Sequence, residues 1–186
     1  MKRSTLCMFS LIGLISFFNA SAAQTCVSAI PETTPVADFL DHGDGTITHR
    51  KTNLMWKVCA EGQTWNSGNC TGSATGYDWQ EALQIPQTVN VSNGGFGGDF
   101  GGEFAKFTNW RLPNIKELNS IVELKCFDPA VNNTIFPSIT STSDIWTSSP
   151  DSMDSTLTLG VMFLEGFSFS DLRDNSNTVL LVRDGL

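Results

Sequence analysis

Four cysteines, a scatter of carboxylates and a few aromatic side chains are the residues here with chemistry to offer. Cys26, Cys59, Cys70 and Cys126 form no Cys-x-x-Cys pair and have no histidine beside them, which argues for disulfides over a zinc cage. Asp151 with Asp154, and Asp171 with Asp174 and Asn175, offer the oxygen ligands that suit calcium. Asp174-Asn175 is equally good turn chemistry, and no Glu-Pro-Asn or Gln-Pro-Asp triplet accompanies either group, so no cofactor is expected and calcium is the lesser reading. Both histidines, His42 and His49, lie near one predicted hairpin, so no Ser/His/Asp set can be assembled. Glu117 and Glu123 stand six apart, on different faces of a predicted helix, and make no acid/base pair. The expected catalytic set is therefore empty, and so is the metal set.

Binding remains. Trp65 sits in the short polar loop between Cys59 and Cys70, where an exposed indole is available to stack on a sugar ring. Phe96 and Phe100 lie in a glycine-rich stretch, 92–103, with Gly94, Gly95, Gly97, Gly98, Gly101 and Gly102. That stretch lacks the Gly-Lys-Ser/Thr of a phosphate cradle and is locally acidic, so it reads as an insertion able to contact a ligand. Trp65, Phe96, Phe100, Asp151, Asp174 and Asn175 are the candidate ligand-binding residues. Trp56, Trp79, Trp110 and Trp146 fall in periodic segments and are assigned to the core.

Composition bounds the rest. Thirteen Phe and five Trp exclude a disordered chain, and 11 basic against 19 acidic residues, net −8, exclude binding to nucleic acid by bulk charge. Lys2 and Arg3, the apolar run Leu6–Phe18 and the small residues Ala20-Ser21-Ala22-Ala23 have the layout of a secretory signal. The run is shorter than the ~20 residues that cross a bilayer, so no membrane span is expected after cleavage. Loss of Lys2 and Arg3 with residues 1–23 takes the net charge from −8 to −10. Cys7 leaves with the leader, and an even set of four cysteines remains in an oxidising compartment. Of three possible pairings, proximity around the polar stretch Glu61–Asn69 favours Cys59–Cys70, leaving Cys26–Cys126.

The elements that must position these residues follow from local pattern. Residues 24–40 read as an extended lead-in. Asp44-Gly45 suits a tight hairpin, followed by a strand whose His49, Arg50, Lys51 and Lys57 mark it as a solvated edge. Asp78-Trp79-Gln80-Glu81 is a capping box opening a helix that Pro86 should stop. Asn114-Ile115-Lys116-Glu117 opens a second, whose buried face Ile115, Leu118, Ile121, Val122 predicts helix to about Leu124. Ile145-Trp146 anchors a strand. Leu157, Leu159, Val161 and Phe163 alternate with Thr158, Gly160 and Met162, and Phe167 and Phe169 with Ser168 and Ser170. With a buried strand over Thr178–Val182 these predict an antiparallel meander.

The ordered segments Gly43-Asp44-Gly45-Thr46-Ile47-Thr48, Lys51-Thr52-Asn53-Leu54-Met55-Trp56, Gly62-Gln63-Thr64-Trp65, Asn109-Trp110-Arg111-Leu112-Pro113-Asn114, Phe136-Pro137, Trp146-Thr147-Ser148-Ser149 and Leu181-Val182-Arg183 resemble the Lcl C-terminal domain family, named for the terminal domain of a bacterial collagen-like adhesin. The resemblance runs from about Leu40 to Gly185 and gives a domain over 41–186. It implies a C-type-lectin-like α+β fold: a small antiparallel sheet, two helices and long loops, here stapled by disulfides. It implies a secreted, periplasmic or surface-held bacterial protein and, in the adhesin, attachment to sulfated glycans. An acidic mature chain departs from the basic surface that a sulfated polymer needs. The fold is also similar to that of the formylglycine-generating sulfatase-modifying enzymes, but no cysteine follows Cys126, where they carry a pair late in the chain. The expected function is a non-catalytic recognition or adhesion domain for a glycan or surface protein, with room for self-association. A structural subunit of a surface or pilus-associated assembly is the alternative, and an enzyme of the sulfatase-modifying fold the third reading.

Overall fold

The computed structural model describes residues 23–93 and 107–185. Their strands are β1 (Thr25–Cys26), β2 (Phe39–Asp41), β3 (Thr46–His49), β4 (Leu54–Lys57), β5 (Thr64–Asn66), β6 (Asn69–Thr71) and β7 (Gly76–Tyr77), then β8 (Cys126–Phe127), β9 (Asp144–Pro150), β10 (Leu157–Met162), β11 (Phe167–Leu172), β12 (Asn177–Thr178) and β13 (Val182–Asp184). The helices are α1 (Trp79–Asn93) and α2 (Ile115–Asn119). The class is α+β, with two main sheets where the sequence suggests one: β13-β4-β3-β2 and β11-β10-β9-β12-β7. Every pairing is antiparallel except β9 with β12. Two ribbons, β1–β8 and β5–β6, carry the disulfides.

Apolar side chains leave β4 on both faces and so define two cores. Trp56 joins Phe39, Leu118, Phe136, Ile145 and Phe163 on one side. Met55 joins Trp110, Trp146 and Leu181 on the other, where Ala82, Ile85 and Val89 of α1 cover it. Residues 177–184 stitch the sheets together, because β12 pairs in one and β13 in the other, with Val179, Leu180 and Leu181 fully buried between. That run is two short strands with a crossing, not the single strand its sequence suggests. The two quoted segments Asn109-Trp110-Arg111 and Leu181-Val182-Arg183 meet here: Arg111 and Val182 exchange backbone bonds, and Arg183 Nε donates to Asn109 Oδ1 at 2.7 Å.

Four further expectations are corrected. The strand of His49 is not a solvated edge: β3 lies between β2 and β4, and His49 is buried, stacked on Phe39 at 4.6 Å. Arg50 and Lys51 fall instead in the exposed turn that follows, and Lys57 is buried against Glu61. Pro86 does not stop α1. Its ring is buried, and beyond it Asn90 takes the Trp110 N–H at 2.8 Å and donates to the Trp110 carbonyl at 2.9 Å, so docking outweighs the lost helical bond. Helix α2 is shorter than its apolar face predicts, because Ser120 caps it and Val122 leaves to bridge Val131. In β10 the alternation is inverted in part: a register shift between Thr158 and Gly160 buries those two more than Leu157 and Leu159. The β9–β10–β11 meander itself forms, as do the capping boxes at Asp78 and Asn114.

Candidate functional site

Among the described residues, the Cys59–Cys70 ribbon is the one ligand-candidate region whose neighbours form a concave surface. Its turn, Asn66 to Asn69, has positive φ at both central positions, 47° at Ser67 and 98° at Gly68, which is the geometry that keeps a two-residue hairpin twisted with its strands. Trp65 lies opposite Cys70 in register, and Cys70 is bonded to Cys59, itself buried just past the end of β4. The bridge therefore fixes the ribbon, and Trp65 with it, against the first core.

Trp65 is half-buried and packs on that core, not freely exposed as its loop position suggests. Its remaining surface lines a groove of about 190 Å³. Val36, Phe39, Ile47, Val58, Ile135 and Pro137 complete the apolar wall, with Gly68 and Thr134 at the margins. Asp41, exposed at the end of β2, is the one ionisable residue lining it among the described residues. Asp41 Oδ1 accepts the Gly43 N–H at 2.8 Å, which holds the carboxylate in the His42–Gly45 turn beside the groove.

The other described candidates, Asp151, Asp174 and Asn175, do not join it. Phe96 and Phe100 lie outside the described residues. Asp151 follows β9 and is engaged locally: Oδ1 accepts the Met153 N–H at 2.7 Å, and Oδ2 accepts the Ser170 hydroxyl. These bonds, Ser170 first, hold its carboxyl below the usual carboxylate range. Asp154 is held low in the same way by the Thr156 hydroxyl and N–H. Asp174 and Asn175 form the turn after β11, where Asn175 Nδ2 donates to Asp171 Oδ1 at 2.6 Å. Asp144, nearby on β9, is pushed up by burial and by the charge on Asp171. Among the described residues, no group of three or more His, Cys, Asp or Glu side chains is placed to hold a metal ion.

A second, shallower depression lies between Leu54 and the start of α2. Asn114 Oδ1 accepts two N–H groups of the capping box there, and Glu117 accepts from Arg111 Nη1 at 2.6 Å and Nη2 at 2.8 Å; Lys116 also lines it, and among the described residues no aromatic ring does. The groove beside Trp65 is thus the better site. Sequence reading missed most of it, since Val36, Phe39 and Asp41 come from the lead-in and its first strand, Ile135 and Pro137 from a loop far along the chain. The only sequence signal was Trp65 itself.

No helix among the described residues is long and apolar enough to cross a membrane. No curated protein matches the chain. The model of a protein family described as the Lcl C-terminal domain matches residues 45–183, well over half of the sequence, and takes in β3 through β13 with the Cys59–Cys70 ribbon and Trp65. The matched residues hold Ile47, Val58, Trp65, Ile135 and Pro137 of the groove, while Val36, Phe39 and Asp41 precede them; the chain belongs to the Lcl C-terminal domain family.

Proposed function

We propose that this chain is a non-catalytic recognition domain of a bacterial surface or secreted protein, holding a glycan or surface protein at the groove beside Trp65 on a C-type-lectin-like scaffold. Family membership supports the surface setting, and two disulfides suit an oxidising compartment. The observation that carries the reading is the groove itself: an indole and an apolar wall beside a single carboxylate, rigidly held by a covalent bridge. Such a site has the parts for stacking and orienting a ring and lacks a paired acid and base for bond cleavage.

Glycan-array binding of the oxidised protein, measured with calcium and with chelator, tests this. Binding to a defined glycan class that is weakened about tenfold by Trp65→Ala is the expected result. An array without a single hit, together with no retention on bacterial or host surface fractions, would remove the reading.

A further inference from the structure

We infer that the groove takes the protonated amine of a hexosamine unit, so that the glycan this domain recognises is an amino-sugar polymer and not a sulfated one; the inference rests on the recognition reading above. Three observations carry it. The first is sign: among the described residues, Asp41 is the only ionisable one lining the groove. The lysines on neighbouring segments already have carboxylate partners, Lys51 with Asp38 at 2.6 Å and Lys57 with Glu61. A sulfate or carboxylate placed here would face the like charge of Asp41 with no cation among the described lining residues to meet it, which selects against anionic sugars.

The second is capacity. Asp41 Oδ1 accepts one N–H from Gly43, and a carboxylate offers about four lone-pair sites, so an ammonium group can be bound without breaking the turn. The third is shape. At about 190 Å³ the groove is smaller than the ~300–1,000 Å³ of sites for drug-sized molecules, so it accommodates one ring of a longer ligand. The indole of Trp65 then faces the apolar side of that ring, and its π-face also favours a nearby cation. A protonated amine on a pyranose satisfies the carboxylate, the indole and the size together.

The test compares three oligosaccharides by calorimetry at low and physiological salt: a glucosamine oligomer, its fully N-acetylated form and a heparin-derived oligomer of matched length. The glucosamine oligomer should bind, the N-acetylated form about tenfold more weakly, and the heparin oligomer not detectably. Asp41→Asn, at an exposed position with nearly unchanged shape, should weaken the amine form at least about threefold and leave the N-acetylated form unaffected. Trp65→Ala should weaken both, with near-ultraviolet circular dichroism confirming that the packed ribbon is retained. Equal affinity for the amine and N-acetylated forms, tight binding of heparin, or indifference to Asp41→Asn would overturn the inference. If none of the three binds while the array finds another glycan lost on Trp65→Ala, the amino-sugar assignment fails and the recognition reading stands; a blank array removes both.

Discussion

Glu123 is the most heavily hydrogen-bonded side chain among the described residues. It is buried, and its carboxylate accepts the Thr34 N–H and hydroxyl at 2.8 Å each, the Thr33 N–H at 3.0 Å and the Lys125 N–H at 3.0 Å. Burial alone would push its carboxyl up; the bonds from Thr33, Thr34 and Lys125 outweigh burial and hold it below its ordinary value of 4.5. A carboxyl lowered by folding contributes stability that is complete above the unfolded value and lost as pH falls through the folded one. His49 adds a second acid-sensitive step. Burial lowers it from 6.5, with Lys51 acting in the same sense and Asp38 against, so the fold prefers the neutral ring and loses stability as pH falls below that value. Denaturation midpoints should therefore drop in two stages, one beginning near pH 6.5 and one below about pH 4.5. Glu123→Gln should cost about 1–3 kcal/mol at neutral pH and flatten the lower stage alone. An unchanged lower stage in that variant would show that another carboxyl is responsible.

At the scale of elements, Gly160 decides how the larger sheet packs. It lies between Trp146 on β9 and Phe169 on β11 in register, and those two rings stack at 6.5 Å across it. A Cβ at this position would come within 2.7 Å of the Phe169 ring and 2.9 Å of the Ile145 carbonyl oxygen, and the second of these is backbone that cannot swing away. Gly160→Ala should therefore destabilise by about 1–3 kcal/mol in urea melts and disturb the tryptophan fluorescence. A neutral effect would mean that the ring and strand shift together at little cost. The sequence shows this strand as a pattern of alternation and Gly160 only as one of its small members. The closing of two neighbours over the glycine is a cross-strand fact with no local signature. Helix α1 is the same lesson at a different element: Asp78 and Glu81 announce its start, but its passage through Pro86 is decided by Asn90 gripping Trp110 twenty residues away.

Over the whole molecule the two disulfides divide the work. Cys26–Cys126 closes a span of 100 residues and welds the lead-in to the body, where Gln24 Nε2 also donates to the Pro129 and Val131 carbonyls at 2.6 Å. Cys59–Cys70 closes a span of 11 and fixes the groove wall. On a chain-entropy argument a ~100-residue loop contributes about 4.7 kcal/mol and a ~15-residue loop about 3. Replacing Cys26 and Cys126 by serine should thus cause the larger loss of stability, read from the denaturation midpoint, while glycan affinity at the groove survives. Replacing Cys59 and Cys70 should cause the smaller loss of stability and the larger loss of affinity. Equal effects on binding from the two pairs would argue against the ribbon as the ligand-holding part.

The sequence by itself determined what is written in short-range pattern: the cysteine pairing by proximity, the hairpin turn at Asp44-Gly45, both capping boxes, the meander, the family and the core tryptophans Trp56, Trp110 and Trp146, with Trp79 half-buried at the core's edge. The pairing follows from a separation of 11 residues and elimination and the family from the order of its segments; each of the others depends on the period, polarity or turn chemistry of residues within a few positions of one another. Only the tertiary structure decided that β3 is central, that Glu123 bolts down Thr34 at a separation of 89 residues, and that Val36, Asp41, Trp65 and Pro137 surround one groove. Those outcomes depend on which faces meet when both cores close on β4. A burial pattern shows that a face will be covered without naming the distant segment that covers it.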